Sequence, residues 1–212
     1  MPSTSAPGSA RFWDKIARGY AKKPVSDVAS YEKTLDLTRA RLSSGDDVLE
    51  IGCGTGTTAL KLADAARHIL ATDISAQMIR IGEEKAREAG VDNVDFLAAT
   101  VEDTRLDGRT FDAVLAFNLL HLVEDLDETL RRTASLVKPG GHFISKTVCL
   151  AGQGWYFKPM ISVMQAFGKA PYVNFLKIDG LEHAIEAAGF EILDTGDYPA
   201  KPPSRFAVAR KA

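Results

Sequence analysis

The stretch VLEIGCGTG at residues 48–56 is the clearest indication of the fold of this chain. It begins as a short apolar run that glycines end, and the residues from 57 to 66 then have the composition of a helix. This order of strand, glycine-rich turn and helix is typical of open α/β sheets that bind a ligand at the turn.

The alternation of strands and helices continues along the chain. Further strands are predicted at 68–72, 93–99, 111–117, 142–150, 190–195 and 204–211. Helices are predicted at 31–42, at 75–90 with Gly90 closing it, at 125–137 and at 181–188, and the segment 138–141 is expected as a stop. Strands separated by helices predict parallel pairing through right-handed crossovers.

We expect one domain over 11–212, because 212 residues suit a single core. Residues 1–10 are expected to be a disordered tail, since 2–9 contain only Ser, Thr, Pro, Gly and Ala. Residues 11–45 are interpreted as an N-terminal helical cap. The apolar, aromatic segment 151–176 follows the fifth strand and is interpreted as a lid insertion.

Composition excludes several classes of function. The 26 Lys and Arg against 28 Asp and Glu give a charge of −2, which disfavours a nucleic-acid partner. No apolar run approaches the about 20 residues of a membrane span, and the first residues lack the pattern of a signal peptide. Cys53 and Cys149 lie far apart and form no C-x-x-C. We therefore expect a cytoplasmic protein without stable membrane insertion. A monomer or homodimer is the expected assembly.

The glycine turn favours a cationic ligand over a pyrophosphate. Its glycines, Gly52, Gly54 and Gly56, are spaced G-x-G-x-G, and Glu50 precedes them. A carboxylate there repels a pyrophosphate and suits an amino group, which disfavours a nicotinamide-dependent oxidoreductase. Asp73, at the end of the second strand, is placed to accept the hydroxyl protons of a ribose. A tight turn that binds nothing is the structural alternative.

Four motifs together resemble class I S-adenosylmethionine-dependent methyltransferases. They are VLEIGCGTG, ATDIS at 71–75, FDAVLAFNLLHLVED at 111–125 and LVKPGG at 136–141, in the expected order and spacing. FWDKIARGY at 12–20 is similar to the N-terminal signature of the ubiquinone and menaquinone biosynthesis group. The resemblance covers 12–141 and reaches the remainder by topology. It implies a Rossmann-like, doubly wound α/β fold with seven strands, mostly parallel, with the last strand antiparallel.

The resemblance also implies S-adenosylmethionine as cofactor, S-adenosylhomocysteine as product and thirteen cofactor-binding residues. Gly52, Gly54 and the Cys53 backbone are expected beside the methionine part, with Glu50 reaching its amino group directly or through water. Tyr20 resembles the family tyrosine that closes over this end.

The other implied contacts surround the nucleoside. Asp73 is expected to bind the ribose hydroxyls. The remaining positions are Ile74 and Met78 beside the adenine, Thr100, Val101 and Glu102 at its edge, and Asn118 and Leu119 facing the amine and sulfonium. Many relatives have Asp where Thr100 stands, so Glu102 or the Thr100 hydroxyl is expected to replace it. For Met78 a place in the core is the alternative.

Methyl transfer requires alignment of the acceptor and, for a hydroxyl or thiol, removal of a proton. His121 follows the fourth strand on the ligand side and is the candidate general base, with a loop-pinning role as the alternative. Tyr172, like Tyr156, brings a hydroxyl that can orient or deprotonate an acceptor. No metal-binding motif is present, and no metal is expected.

The insertion favours a hydrophobic or aromatic small-molecule acceptor. A lid that packs on the core or a surface at a membrane interface are the alternatives. AFNLLH at 116–121 differs from the Asn/Asp-Pro-Pro-aromatic motif of enzymes that methylate bases and amides. A catalytically silent protein that binds S-adenosylmethionine or a protein partner is the rival interpretation.

Overall fold

A computed structural model describes residues 7–151, 165 and 170–212. The helices in this part of the chain are α1 (Pro7–Ala21), α2 (Val28–Arg39), α3 (Thr57–Leu62), α4 (Ala76–Ala89), α5 (Leu126–Leu136) and α6 (Ile178–Ala187). The strands are β1 (Asp47–Ile51), β2 (His68–Asp73), β3 (Val94–Ala98), β4 (Phe111–Phe117), β5 (Val137–Val148), β6 (Phe190–Ala200) and β7 (Pro203–Lys211).

The described strands form one seven-stranded sheet in the order β3-β2-β1-β4-β5-β7-β6. Strands β1 to β5 pair in parallel, whereas β7 runs antiparallel to both of its neighbours. The predicted doubly wound fold with an antiparallel last strand is confirmed. Because the strand order reverses between β1 and β4, their carboxyl ends flank the crevice where such sheets bind ligands.

The strand β1 is buried on both faces of the sheet, as its apolar run predicts. Val48 packs in a cluster with Leu35 of α2 and Leu62 of α3, whereas Leu49 joins Leu130 of α5 on the opposite face. All five side chains are fully buried. Each such burial contributes about 1.5–3 kcal/mol, so the glycine turn follows a firmly held strand.

Side-chain and glycine caps bound α4, the helix that follows the ribose-binding candidate. Ser75 Oγ accepts a hydrogen bond from the Met78 N–H at 3.1 Å, which satisfies a backbone donor of the first turn. Gly90 has a φ of 66° at the other end, in the left-handed region that glycine adopts without strain. The predicted closure by Gly90 is confirmed.

The segment 138–141, which was expected to end the preceding helix and separate it from the fifth strand, lies inside β5. The strand begins at Val137, which pairs with Phe111, and the register with β4 shifts immediately afterwards. Gly141 allows this close approach, because a Cβ atom there would lie 2.7 Å from the Asp112 carbonyl oxygen. The glycines therefore form an irregular start to the strand and do not separate it from α5.

The boundary between the predicted tail and the helical cap differs from the described structure. Because α1 begins at Pro7, residues 7–10 belong to a helix and not to the tail expected at 1–10. Proline suits a first helical turn, where its missing N–H costs nothing, and α1 packs against α4. Residues 1–6, 152–164 and 166–169 lie outside the described residues. The remaining tail, most of the lid and Tyr156 therefore stay predictions.

Candidate active site

A cavity of about 1130 Å³ opens at the carboxyl ends of the central strands. Strand β4 separates two sides of this cavity. We call them the glycine half, after the glycine turn, and the hairpin half, after the antiparallel pair β6 and β7. The glycine half is formed by the segments 50–58, 72–78, 99–102 and 118–119, most of whose residues line the cavity. The hairpin half is formed by the segment 23–31, most of which lines the cavity, and by Phe117, Lys146, Pro199, Pro202 and Ser204. Tyr172 also reaches the wall.

All of the predicted cofactor-binding residues line this cavity. They are Tyr20, Glu50, Gly52, Cys53, Gly54, Asp73, Ile74, Met78, Thr100, Val101, Glu102, Asn118 and Leu119. They come from α1, from the ends of β1, β2 and β4, from α4 and from the loop after β3. Parallel strands that end at one edge of the sheet bring these distant positions together.

The three glycines of the turn all adopt left-handed conformations, for different reasons. Gly52, Gly54 and Gly56 have φ values of 67°, 55° and 71°. A Cβ atom on Gly56 would lie 2.4 Å from the Phe96 ring, so this glycine allows close packing of the turn. A Cβ atom on Gly54 would meet only the Tyr20 ring, at an ordinary contact distance of 3.8 Å, and Gly54 lines the cavity. Gly54 therefore leaves room for a ligand.

Asp73 connects the end of β2 to the glycine turn. One carboxylate oxygen accepts the Gly54 N–H at 2.9 Å, and the other accepts the Ser75 N–H at 2.8 Å. Burial raises the pKa of this carboxyl, while the two backbone hydrogen bonds oppose the rise. Each oxygen retains a lone pair for a further donor, so the side chain can still bind hydroxyl groups.

Glu50 is a buried carboxyl with an oxygen that lacks a partner. Its side chain is 2% exposed, and no described residue donates a hydrogen bond to Oε2. Burial, aided by the nearby charge of Asp73, raises its pKa to about 8, although the Ala59 backbone N–H opposes this. An unsatisfied acceptor of this kind indicates a ligand that brings a donor or a positive charge.

The turn after β4 packs against the glycine turn in the glycine half of the cavity. Asn118 has a φ of 56°, which asparagine tolerates better than most residues, and its N–H donates to the Lys146 carbonyl at 2.7 Å. This geometry brings Leu119 under Gly52, where a Cβ atom would lie 2.7 Å from the leucine. The two turns are therefore packed against each other without space for a side chain on Gly52.

Helix α1 contributes to the site through Asp14 and Tyr20. Asp14 Oδ1 accepts the Ser75 hydroxyl at 2.6 Å and the Gln77 N–H at 3.0 Å, which ties α1 to the start of α4. Tyr20 lines the cavity, and its ring meets that of Trp13 edge-on with centroids 6.2 Å apart. Burial and the charge of Asp73 raise the pKa of the tyrosine, so its hydroxyl stays protonated.

Known proteins similar to this chain include methyltransferases. Residues 48–141 match the family model of a methyltransferase domain. The ubiquinone biosynthesis O-methyltransferase of Rhizobium johnstonii is 30% identical over 174 residues, which span 80% of this chain and 70% of the relative. The chain belongs to the class I S-adenosylmethionine-dependent methyltransferases.

Solved structures show the same methyltransferase fold. The cyclase SpnF matches with a TM-score of 0.75 at 21% identity, covering 95% of this chain and 94% of the other. Geranyl diphosphate C-methyltransferase from Streptomyces coelicolor A3(2), solved with S-adenosyl-L-homocysteine, matches with a TM-score of 0.75 at 14% identity over 100% of both chains. At these identities the likeness concerns the fold alone.

The cofactor of this methyltransferase is S-adenosylmethionine, which supplies the methyl group. The residues of the glycine half fit it. Glu50 Oε2 offers a buried acceptor for an amino group, Asp73 offers one for hydroxyl groups, and Gly54 lines the cavity without a side chain. The Cys53 N–H already donates to the Thr72 carbonyl at 2.9 Å, and burial holds the pKa of the Cys53 thiol well above the usual range, so the contact of Cys53 with the cofactor stays a prediction.

The part of the cavity that is predicted to hold the adenine has both apolar and polar residues on its wall. Met78 is 1% exposed and yet lines the cavity, so it belongs both to the buried layer of α4 and to the wall. The loop of Thr100, Val101 and Glu102 is held from behind by Arg132, whose Nε donates to the Val101 carbonyl at 3.1 Å. The adenine contacts themselves stay predictions.

The two predicted catalytic residues lie in different surroundings. Tyr172 is 42% exposed and lines the cavity. His121 is not among the lining residues; its carbonyl accepts the Asn174 N–H at 2.7 Å, and no described residue bonds to its Nδ1. Burial lowers the pKa of its imidazole to about 4, so it is a neutral and weak base. Both catalytic roles stay predictions, and the cavity geometry favours Tyr172 alone.

Sequence analysis missed several polar side chains that the fold brings to the site. Asp27 and Tyr31 lie before the first motif, where nothing in the sequence marks them, yet both line the hairpin half. Asp14 lies within the recognised N-terminal signature but was given no role. Lys146 did leave a signal, because it is the only charged residue in the predicted strand 142–150, apart from the histidine at its start.

The described residues contain no helix long and apolar enough to cross a membrane. Within the same residues, no group of three or more His, Cys, Asp and Glu side chains is arranged to hold a metal ion. The expected absence of a metal from the reaction stays a prediction.

Proposed function

We propose that this methyltransferase acts on a small apolar or aromatic acceptor bound in the hairpin half. The observation that carries the proposal is the wall of that half, where Val25, Tyr31, Phe117, Pro199 and Pro202 contribute apolar surface. Ligand pockets usually measure about 300–1,000 Å³, so a larger cavity accommodates a cofactor and a second small molecule. The biosynthetic name of the Rhizobium johnstonii relative supports an acceptor of this class.

In the same proposal the glycine half orients the cofactor. Glu50 binds the amino group, directly or through a water, and Asp73 binds the ribose hydroxyls. Gly52 and Gly54 let the methionine part lie against bare backbone, and Tyr20 covers it. The burial of Glu50 and the place of Gly54 on the cavity wall support these assignments.

The chemical task of the chain is alignment of the acceptor and exclusion of water. For a hydroxyl acceptor, a lone pair of the acceptor oxygen forms the new bond to carbon while its proton passes to a base. Tyr172 is the lining residue that we propose for orienting this oxygen. His121 is the alternative base, which the cavity geometry does not favour and which the His121→Gln variant in the Discussion tests.

The proposed setting is the cytoplasm, with the protein acting as a monomer or homodimer and without a nucleic-acid partner. Cys53 and Cys149 are both free and buried, which supports a reducing compartment. The charge of −2 supports a small-molecule acceptor over a polyanion.

The proposal is tested in two steps. Calorimetric titration with S-adenosylmethionine and S-adenosylhomocysteine measures cofactor binding, with Asp73→Ala as the impaired control. Methyl-labelled cofactor is then incubated with a metabolite extract, and labelled products are separated by polarity. Binding with a labelled apolar product supports the proposal. Binding without any product in repeated extracts would indicate the catalytically silent alternative, and a labelled polar product would contradict the acceptor class.

A further inference from the structure

Lys146 is a buried cation on the wall of the hairpin half. It lies near the carboxyl end of β5, is 8% exposed and lines the cavity. Its Nζ donates one hydrogen bond to Thr34 Oγ1, at 3.2 Å. That hydroxyl uses its own proton on the Ser30 carbonyl, at 2.7 Å, so it serves the ammonium as an acceptor. Two of the three ammonium protons have no partner among the described residues.

The charge of Lys146 is not neutralised by an adjacent carboxylate. None of the ion pairs between described residues includes it. Asp27 favours the charged form from a distance, but burial has the larger effect and lowers the pKa of the lysine. A buried ammonium that lacks a counter-charge destabilises a fold, and such groups cluster at functional sites.

The residues around Lys146 indicate which chemical groups a ligand bound beside it would carry. Tyr31, Phe117 and Pro199 form apolar wall in the same half of the cavity. The only other described cation on the cavity wall, Lys23, is exposed. A ligand that fills this space without leaving the ammonium unpaired has an apolar body and an anionic oxygen group.

We propose that Lys146 is a specificity-determining residue that binds an anionic oxygen group, such as a carboxylate, on the methyl acceptor. This inference rests on the proposed function, because it takes the hairpin half as the acceptor site. Lys146 pairs in the sheet with Phe117 of β4, on the side of that strand away from β1 and the glycine turn. This position favours the acceptor over the carboxylate of the cofactor as the source of the anion.

The test compares benzoate with benzamide, which differ in charge but hardly in shape. Both are titrated calorimetrically into protein saturated with S-adenosylhomocysteine. We expect benzoate to bind about tenfold more tightly than benzamide to the wild type, because a charge-assisted hydrogen bond adds about 1.4 kcal/mol or more. Lys146→Met should abolish the preference, and Lys146→Arg should retain it. Lys33→Met, which removes an exposed lysine of α2, is the matched control.

Each contrary result overturns the inference in a distinct way. Equal binding of the two probes to the wild type, or an unchanged preference in Lys146→Met, shows that the lysine does not select anions. A loss of S-adenosylhomocysteine affinity in Lys146→Met assigns the anion to the cofactor. If Lys146→Met lowers the melting temperature strongly but changes the affinity for neither benzoate nor benzamide, the lysine is a structural partner of Thr34. Benzoate binding needs no turnover, so this failure is distinguishable from absence of the proposed methyl transfer.

Discussion

The glycine half and the hairpin half of the cavity are built by different means. The glycine half comes mainly from backbone: three left-handed glycines and the N–H groups of Gly54 and Ser75, which a single carboxylate, Asp73, holds in place. The hairpin half comes from side chains of segments far apart in the chain, such as Tyr31, Lys146 and Pro199. Backbone geometry depends on a local sequence pattern, whereas a side-chain wall can change residue by residue. A conserved ligand suits the first half, and a variable one suits the second.

Alanine substitutions of two glycines separate packing from ligand space within the glycine half. We expect Gly56→Ala to destabilise the protein by about 2–4 kcal/mol, from left-handed strain and collision with Phe96. Gly54→Ala should cost only the strain, about 1–2 kcal/mol, and should weaken S-adenosylhomocysteine binding through the added methyl group. Urea unfolding and calorimetry measure the two effects. Equal stability losses in both variants would contradict the division of roles.

The carboxylate of Asp73 is expected to dominate cofactor affinity. Asp73→Ala should weaken S-adenosylhomocysteine binding by about 1–3 kcal/mol, because charge-assisted hydrogen bonds to the ligand and the anchor of Gly54 are lost. Calorimetry gives the affinity, and Asp92→Ala, at an exposed position, serves as the control. Unchanged affinity in Asp73→Ala would rule out the ribose assignment.

Glu50 should make cofactor binding depend on pH. Its pKa of about 8 means that the free protein holds it mostly protonated at neutral pH, whereas an ammonium ligand requires the ionised form. The affinity of wild type relative to Glu50→Gln should therefore rise by about 25-fold from pH 6.5 to 8.5, following the ionised fraction. Taking the ratio of the two proteins removes the titration of the ligand itself. A ratio independent of pH would contradict the amino-group assignment.

The same residue predicts a pH trend in stability without ligand. A carboxyl whose folded pKa lies above its unfolded value binds more protons in the folded state, so stability falls as the pH rises between about 4.5 and 8. The slope from this group is at most about 1.4 kcal/mol per pH unit. Glu50→Gln should flatten it, which denaturant titrations at several pH values would measure.

Asp14 tests whether the helical cap stabilises the glycine half. Asp14→Ala removes the hydrogen bonds to Ser75 Oγ and the Gln77 N–H, and we expect a loss of about 1 kcal/mol in stability. Tyr20 on the same helix should then cover the cofactor less well, so S-adenosylhomocysteine affinity should fall by about threefold. Lys15→Ala, on the same helix, is the control for loss of a charged side chain. Identical behaviour of the two variants would show that α1 is merely packed against α4.

His121 is expected to show the smallest effect on activity. Because the cavity wall does not include it, His121→Gln should change kcat by less than about threefold and leave S-adenosylhomocysteine affinity unchanged. A fall in kcat of about 100-fold at constant affinity would instead identify the imidazole as the general base. Loss of both would indicate a structural role.

Much of the fold and of the glycine half was predictable from sequence for one physical reason. Strand and turn identities are encoded locally: the apolar run before Gly52 and the cap at Gly90 lie where the structure has them. The thirteen expected residues reach one cavity because parallel strands end at a common edge. By contrast, nothing local in Lys138–Gly141 distinguishes a stop from the irregular start of β5, which depends on pairing with β4.

The hairpin half was not predictable because its residues are adjacent only in space. Lys146 and Thr34 are 112 positions apart, and their contact depends on α2 lying across the sheet. The tail boundary failed for a related reason. Small polar residues at the start of α1 have weak helix preference, and the helix there is supported by packing on α4.

The hydrogen bonds of Asp73 to Gly54 and Ser75 join groups of the chain itself and need no ligand atom. The glycine turn is therefore preorganised, with its backbone ordered before the cofactor binds. The binding free energy is not reduced by the entropic cost of ordering this turn. The cofactor can thus bind to and leave a turn whose conformation is already formed. For a methyltransferase that must release S-adenosylhomocysteine after every turnover, such a turn lets the reaction cycle continue without refolding any part of it.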